Sequence, residues 1–280
     1  MSLLKNISKQ ERALAALMGV LLSIALFAPA IPDPTANAQF ADTRSWLGLP
    51  FAMDVLSNLP FALFGLWGLA VSRRVGPSQP PLPDETSHCA RLFFAGLVFT
   101  AACSSVYHLS PDVLRLGFDR AGMAVAFAGM IGFAVCERVS RRAGWPAACL
   151  TLFAGLLAAA TYMQSGNVLP WAVVQFGGIA LVLVLALLRP VPGAVGLSLA
   201  AVIGFYLLAK LLELGDHAVY EATNHWVAGH SLKHMVAACA AWPVIRAVRR
   251  SRDRVLRHNP RAATATAVPD GPRSPTGTFE

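Results

Sequence analysis

Three short runs place polar side chains inside otherwise apolar sequence. Cys103-Ser104-Ser105-Val106-Tyr107-His108 closes one apolar stretch, Phe118-Asp119-Arg120 opens the next, and Gly229-His230-Ser231-Leu232-Lys233-His234 opens the last. Residues four apart share a helix face, so His230 pairs with His234 and Ser104 aligns with His108. Three imidazoles that leave a fourth position open are the donor set of a catalytic zinc site, with Zn–N distances of about 2.0–2.1 Å. Zinc can lower the pKa of a bound water to about 7. A carboxylate such as Asp119 can take the water proton, and a hydroxyl such as Ser104 can steady a developing oxyanion.

That chemistry needs elements that bring the three runs together. Of 280 residues, 55% are hydrophobic and 14% charged, and the mean hydropathy is +0.54. A soluble domain carries about 25% charged residues, so the composition argues against a water-soluble globular protein. Eight apolar stretches lie at about 13–31, 51–72, 89–109, 118–136, 145–162, 168–188, 193–213 and 229–246. Runs such as GGIALVLVLALL lack the alternation of a membrane barrel strand, so all eight read as helices. The expected fold is an all-α integral membrane protein, a seven-helix bundle with one added N-terminal hydrophobic helix. Five scattered cysteines offer neither a disulfide framework nor a Cys-based zinc module.

The first stretch reads two ways. Lys5, Lys9 and Arg12 precede it and Ala36-Asn37-Ala38 follows like a signal-peptidase site, but its apolar run exceeds a signal-peptide core, which favours a retained helix. With the spans laid down alternately from an inner N-terminus, 18 of the 23 basic residues fall on the cytoplasmic side: Lys5, Lys9, Arg12, Arg73, Arg74, Arg91, Arg138, Arg141, Arg142, Arg189, the seven arginines from Arg246 to Arg261, and Arg273. Arg44, Arg115 and Arg120 fall outside. The arginine-rich end reads as a contact with anionic lipid, not nucleic acid. Beyond Arg261 the sequence is rich in Pro, Gly, Ser and Thr, which predicts disorder. The chain thus divides into an N-terminal helix and outer loop (1–50), a membrane domain (51–246) and a cytoplasmic tail (247–280).

This topology gives Ser104, His108, Asp119, His230 and His234 one depth, near the outer interface. Ionisable groups at such depth cost a few kcal/mol each on insertion scales and need a partner or a task. A single interfacial histidine is commonly hydrogen-bonded, Asp119 with Arg120 can form an ion pair, and Ser104 can bond back to a helical carbonyl. The combination favours a metal site, and imidazole suits iron, copper and nickel as well as zinc. Asp54, Ser57 and Asn58 sit at the outer end of the second stretch, where they can brace the ligands or pack helices. Lys210 and Glu213 are spaced for an intrahelical pair, and Lys233 lies between the two histidines near the same outer level, where it too can brace the ligands. They read as an ion-pair network, with lipid-headgroup contact as the functional alternative. His88, His217, His225 and His258 are not expected to be ligands.

Taken together, these residues resemble the alkaline ceramidase family, within a superfamily of seven-helix membrane hydrolases that includes the progestin and adiponectin receptors. The resemblance rests on the Ser-x-x-x-His of Ser104 and His108, on Asp119 eleven residues later, on Gly-His-x-x-x-His ending at His234, and on Ser57-Asn58. It covers about Phe51 to Trp242. It implies a zinc ion held by His108, His230 and His234, with Ser104 and Asp119 beside it, and hydrolysis of a ceramide-type lipid amide to a sphingoid base and a fatty acid. It also implies the orientation that the basic residues give. The family's acidic calcium-binding segment is missing, since only Asp33, Asp42 and Asp54 stand in the matching region, so calcium is not carried over. The Ala-rich, Arg-over-Lys composition points to a bacterial inner membrane and to another N-acyl lipid drawn from the bilayer. A non-catalytic lipid sensor is the main alternative, and a transporter the lesser one, because no inverted repeat is visible.

Overall fold

The computed structural model describes residues 7–34, 39–73 and 82–258. The cleavage-like Ala36-Asn37-Ala38 and the tail beyond His258 lie outside them. The described residues are helical throughout, apart from turns and two isolated bridges. Six helical segments are long and apolar enough to cross a membrane: Lys9–Phe27, Ala52–Ser72, Asp84–Leu109, Val113–Arg138, Arg141–Ser165 and Leu169–Leu187. Large apolar side chains point outward from them, Leu187 being 87% exposed, Phe153 65% and Leu63 64%. Water would oppose such a surface and hydrocarbon accepts it, so the chain is an integral membrane protein.

Helix α1 (Lys9–Phe27) starts in a capping box, Ser8 Oγ accepting from the Glu11 amide while the Glu11 carboxylate accepts from the Ser8 amide. The second span divides into α2 (Ala52–Leu56) and α3 (Leu59–Ser72), with Ser57 and Asn58 at the joint and Pro60 in the first turn of α3. Helices α4 (Asp84–Leu109) and α5 (Val113–Arg138) form the central pair. Of the most apolar stretch of α5, 67% is buried, against 11% for α1, so α5 is the axis of the bundle and α1 a peripheral addition. Gly96 and Gly129 set the α4–α5 approach: a side chain on Gly96 would strike the Ala126 backbone, and one on Gly129 the Phe93 backbone. Close backbone approach through small residues is the usual way for membrane helices to gain contact without a hydrophobic driving force.

Helix α6 (Arg141–Ser165) follows α5 with Ser140 as its cap. The next span comprises α7 (Leu169–Ala172), a π-helical turn (Val173–Gly177) and α8 (Gly178–Leu187). Two expected spans are shorter than the hydropathy implies. The stretch expected from 193 begins only at α9 (Leu199–Leu214), because the amides of Val195, Gly196 and Leu197 donate to the buried Glu137 carboxylate at 2.6, 2.8 and 2.8 Å, and Gly193 and Gly196 have positive φ. After the short α10 (Asp216–Ala222), the stretch expected at 229–246 is broken at Ala240 into α11 (Gly229–Cys239) and α12 (Ala241–His258).

Candidate metal centre

His108 lies in the last turn of α4, and His230 and His234 lie on the first two turns of α11. All three are buried, and one ligand nitrogen from each lies within 4.8 Å of the others. Ring centroids are 4.9 Å apart for His108 and His230, 5.1 Å for His108 and His234, and 5.0 Å for His230 and His234. The Nε2 atoms of His108 and His230 are 3.3 Å apart. Two nitrogens about 2.0–2.1 Å from one tetrahedral ion stand about 3.3–3.4 Å apart, so the cluster fits a metal ion.

Hydrogen bonding prepares His234 as a ligand. Ser57 Oγ donates its one proton to the Asp54 carbonyl at 2.9 Å and lies 2.8 Å from His234 Nδ1. With that proton committed, the hydroxyl accepts from Nδ1–H, which leaves the Nε2 lone pair free for a metal. Asp54 Oδ1 accepts from the Ser231 hydroxyl at 2.7 Å, and Asn58 Nδ2 donates to the Asp54 carbonyl at 3.0 Å. Ser57 thus touches a candidate ligand directly, whereas Asp54 and Asn58 stiffen the joint on which Ser57 sits. His230 is held through its backbone, whose amide donates to Asp216 Oδ1 at 2.7 Å.

Ser104 lies one turn before His108 on α4, is buried, and its hydroxyl acts on the Asp119 carboxyl of α5. Asp119 Oδ1 is shielded and has no hydrogen-bond partner among the described residues. Arg120 bonds Asp33 at 2.8 Å and stacks 3.8 Å from the Tyr162 ring centroid, so the adjacent Asp119–Arg120 pair weighed as an alternative to a metal site does not form. The Lys210–Glu213–Lys233 network does form, Lys233 reaching Glu213 Oε1 at 2.5 Å and Lys210 holding the other oxygen.

A strap that sequence reading missed lies over the histidines. The Phe40 ring stands 4.9 Å from His108 and 4.6 Å from His230. Its neighbour Ala41 donates its amide to Asp216 Oδ2 at 3.0 Å, and His217 Nε2 donates to the Gln39 carbonyl at 3.1 Å. Asp216 therefore joins the strap to the backbone of His230 through one carboxylate. Asp42 is buried, which pushes its carboxyl up, but its hydrogen bonds from Arg44 outweigh burial and hold it below the usual range. Only the aspartate at a helix start, Asp216, carries a local signal in the sequence. His225 pairs with Glu221 and His88 packs on Trp145, away from the cluster.

Toward the bundle centre, Phe61 packs on His234 with centroids 6.2 Å apart and also lines an apolar cavity of about 140 Å³. Thr100, one turn below Ser104, lines the same cavity with Leu97, Met130 and Val202. No protein-family model matches the chain, and no curated protein matches it significantly. Fold and site therefore define it only as an all-helical integral membrane protein with a buried three-histidine cluster able to hold a metal ion.

Proposed function

We propose that the chain is a zinc-dependent hydrolase of lipid amides, similar to alkaline ceramidases, with the seven-helix domain at residues 51–246 and α1 as an added eighth span. The single observation that carries the reading is the convergence of His108, His230 and His234, with Ser104 one turn before His108 on α4 and hydrogen-bonded to Asp119. The asymmetry of basic residues supports a site near the outer face and a cytoplasmic C-terminus, and composition supports a bacterial inner membrane.

Zinc bound by the three histidines supplies Lewis acidity that acidifies water and polarises a carbonyl. Asp119 Oδ1, shielded and without a hydrogen-bond partner among the described residues, accepts the proton of the attacking water and delivers it to the leaving nitrogen. The Ser104 hydroxyl, which donates to the Asp119 carboxylate at rest, turns its one proton to the carbonyl oxygen as Asp119 takes up the water proton and negative charge develops there. The cavity beyond Phe61 takes the start of the acyl chain. Water adds across the C–N bond, giving a fatty acid and an amine.

The test is elemental analysis and turnover of protein purified without a metal-binding tag. Wild type is expected to hold about one zinc per chain and to hydrolyse ceramide or another N-acyl lipid, and His234→Ala to lose the metal. Asp119→Asn should keep zinc and lose ~10²–10⁴-fold in rate. Turnover retained in Asp119→Asn removes that residue from the mechanism, and well-folded wild type without metal overturns the proposal.

A further inference from the structure

Lys233 falls between two candidate ligands, His230 and His234, on a different face of α11. Its ammonium bonds Glu213 of α9, and Lys210, one turn earlier on α9, bonds the same carboxylate. Its charge also reaches His108, His230, His234, Asp54 and Asp119. Among the described residues, however, its ion pair is with Glu213.

One carboxylate thus serves two ammoniums, each with three N–H donors of which one is used on Glu213. Among the described residues Glu213 is the carboxylate within ion-pair distance of both ammoniums, so each keeps N–H donors unused at membrane depth, where unmet polar groups are costly. The Lys233 side chain is 19% exposed and the Lys210 side chain 26%, so both remain open to a ligand. Lys210 also lies 5.9 Å from the centroid of Phe176, a residue 56% exposed on the outside of the bundle. The cation pair therefore runs from the histidine cluster toward the lipid-facing surface.

Resting on the hydrolase reading, we infer that Lys233, backed by Lys210, binds an anionic group on the amine side of the substrate. The substrate is then an N-acyl lipid whose headgroup carries a carboxylate or phosphate, of which an N-acyl amino acid is the simplest case. The carbonyl lies at the histidines, the acyl chain enters the apolar cavity, and the anion meets Lys233.

The experiment compares N-oleoylglycine with N-oleoylethanolamine, which share acyl chain and amide and differ in charge, on protein in phosphatidylcholine nanodiscs. Equilibrium binding is measured with and without zinc, and hydrolysis with zinc. Wild type is expected to bind N-oleoylglycine about tenfold tighter or more, as charge-assisted hydrogen bonds allow. Lys233→Met should bring the ratio near one by weakening the glycine conjugate alone, and Lys233→Arg should keep it. Lys210→Met, the second variant if Lys233→Met does not fold, should lower the ratio several-fold. Equal affinities in wild type, or equal losses for both probes in the variants, overturn the inference, the latter marking a helix clamp or a bilayer-phosphate contact. Charge-dependent binding without any hydrolysis upholds the anion site while the hydrolase reading fails. Hydrolysis of neutral amides with no charge preference does the reverse.

Discussion

Among single residues, Ser57 has the most specific assignment, because its one proton goes to the Asp54 carbonyl and its lone pairs must therefore face His234 Nδ1. Ser57→Ala should lower zinc affinity ~10–100-fold without unfolding the protein, as loss of a ligand's outer hydrogen bond commonly does. Competition against a chelator of known affinity measures it, and an unchanged affinity would show that Ser57 does not orient His234. The strap has its own pH dependence. The folded Asp42 carboxyl titrates below the usual aspartate range, so its contribution is complete above that range and disappears as pH falls through the folded value. Amide exchange over residues 39–44, read against the α4 amides, should accelerate on acidification, and Asp42→Asn should show fast exchange already at neutral pH. The three histidines were legible because helix periodicity and matched depth made them a set, whereas Ser57 read equally as a brace for a ligand or as a helix-packing residue. Phe40 was not legible, since an aromatic residue in a polar loop carries no period. The bond from Ala41 to Asp216 likewise joins residues 175 apart in sequence.

Between elements, the α4–α5 contact places His108 at the end of one helix across a short turn from Asp119 near the start of the next. Gly129 faces the Phe93 backbone, which cannot move aside as a flexible side chain would. Gly129→Val should therefore destabilise the bundle by roughly 1–3 kcal/mol or more through overpacking. The same spreading of α4 from α5 should weaken metal binding, although Gly129 lies several turns from the histidines. Thermal unfolding in detergent and zinc titration check the two effects, and normal values for both would show that the pair tolerates a wider separation. Hydropathy made these long helices legible, yet it overran two others. It measures apolar content, which the 193–198 segment shares with α9, whereas the Glu137 carboxylate that holds three amides of that segment lies 58 residues away from the first of them. Nor does apolar content register the break at Ala240, where α11 gives way to α12.

Across the whole molecule, α1 is tied to the bundle at both ends, which bears on whether it behaves as a structural helix or a cleaved leader. At one end the Glu11 carboxylate accepts from Ser140 Oγ at 2.6 Å and from Arg142 Nε at 2.7 Å. At the other, the Val168 amide donates to the Ile31 carbonyl at 2.9 Å, and Asp33 pairs with Arg120, both side chains being buried. A leader bound for removal has no need of specific partners on three other helices. The pair also explains Arg120, which without Asp33 would leave a buried guanidinium stacked on Tyr162 with no counter-charge. Removing one member of a buried pair costs ~3–5 kcal/mol, so Asp33→Ala should destabilise the protein by about that amount. Arg120→Met with Asp33→Leu should recover much of the loss, because apolar residues of similar volume can replace a buried pair. Intact-mass measurement of membrane-extracted protein should find Lys9–Phe27 still attached. A mass that begins after residue 38, with stability unaffected by Asp33→Ala, would show that the mature bundle does without α1.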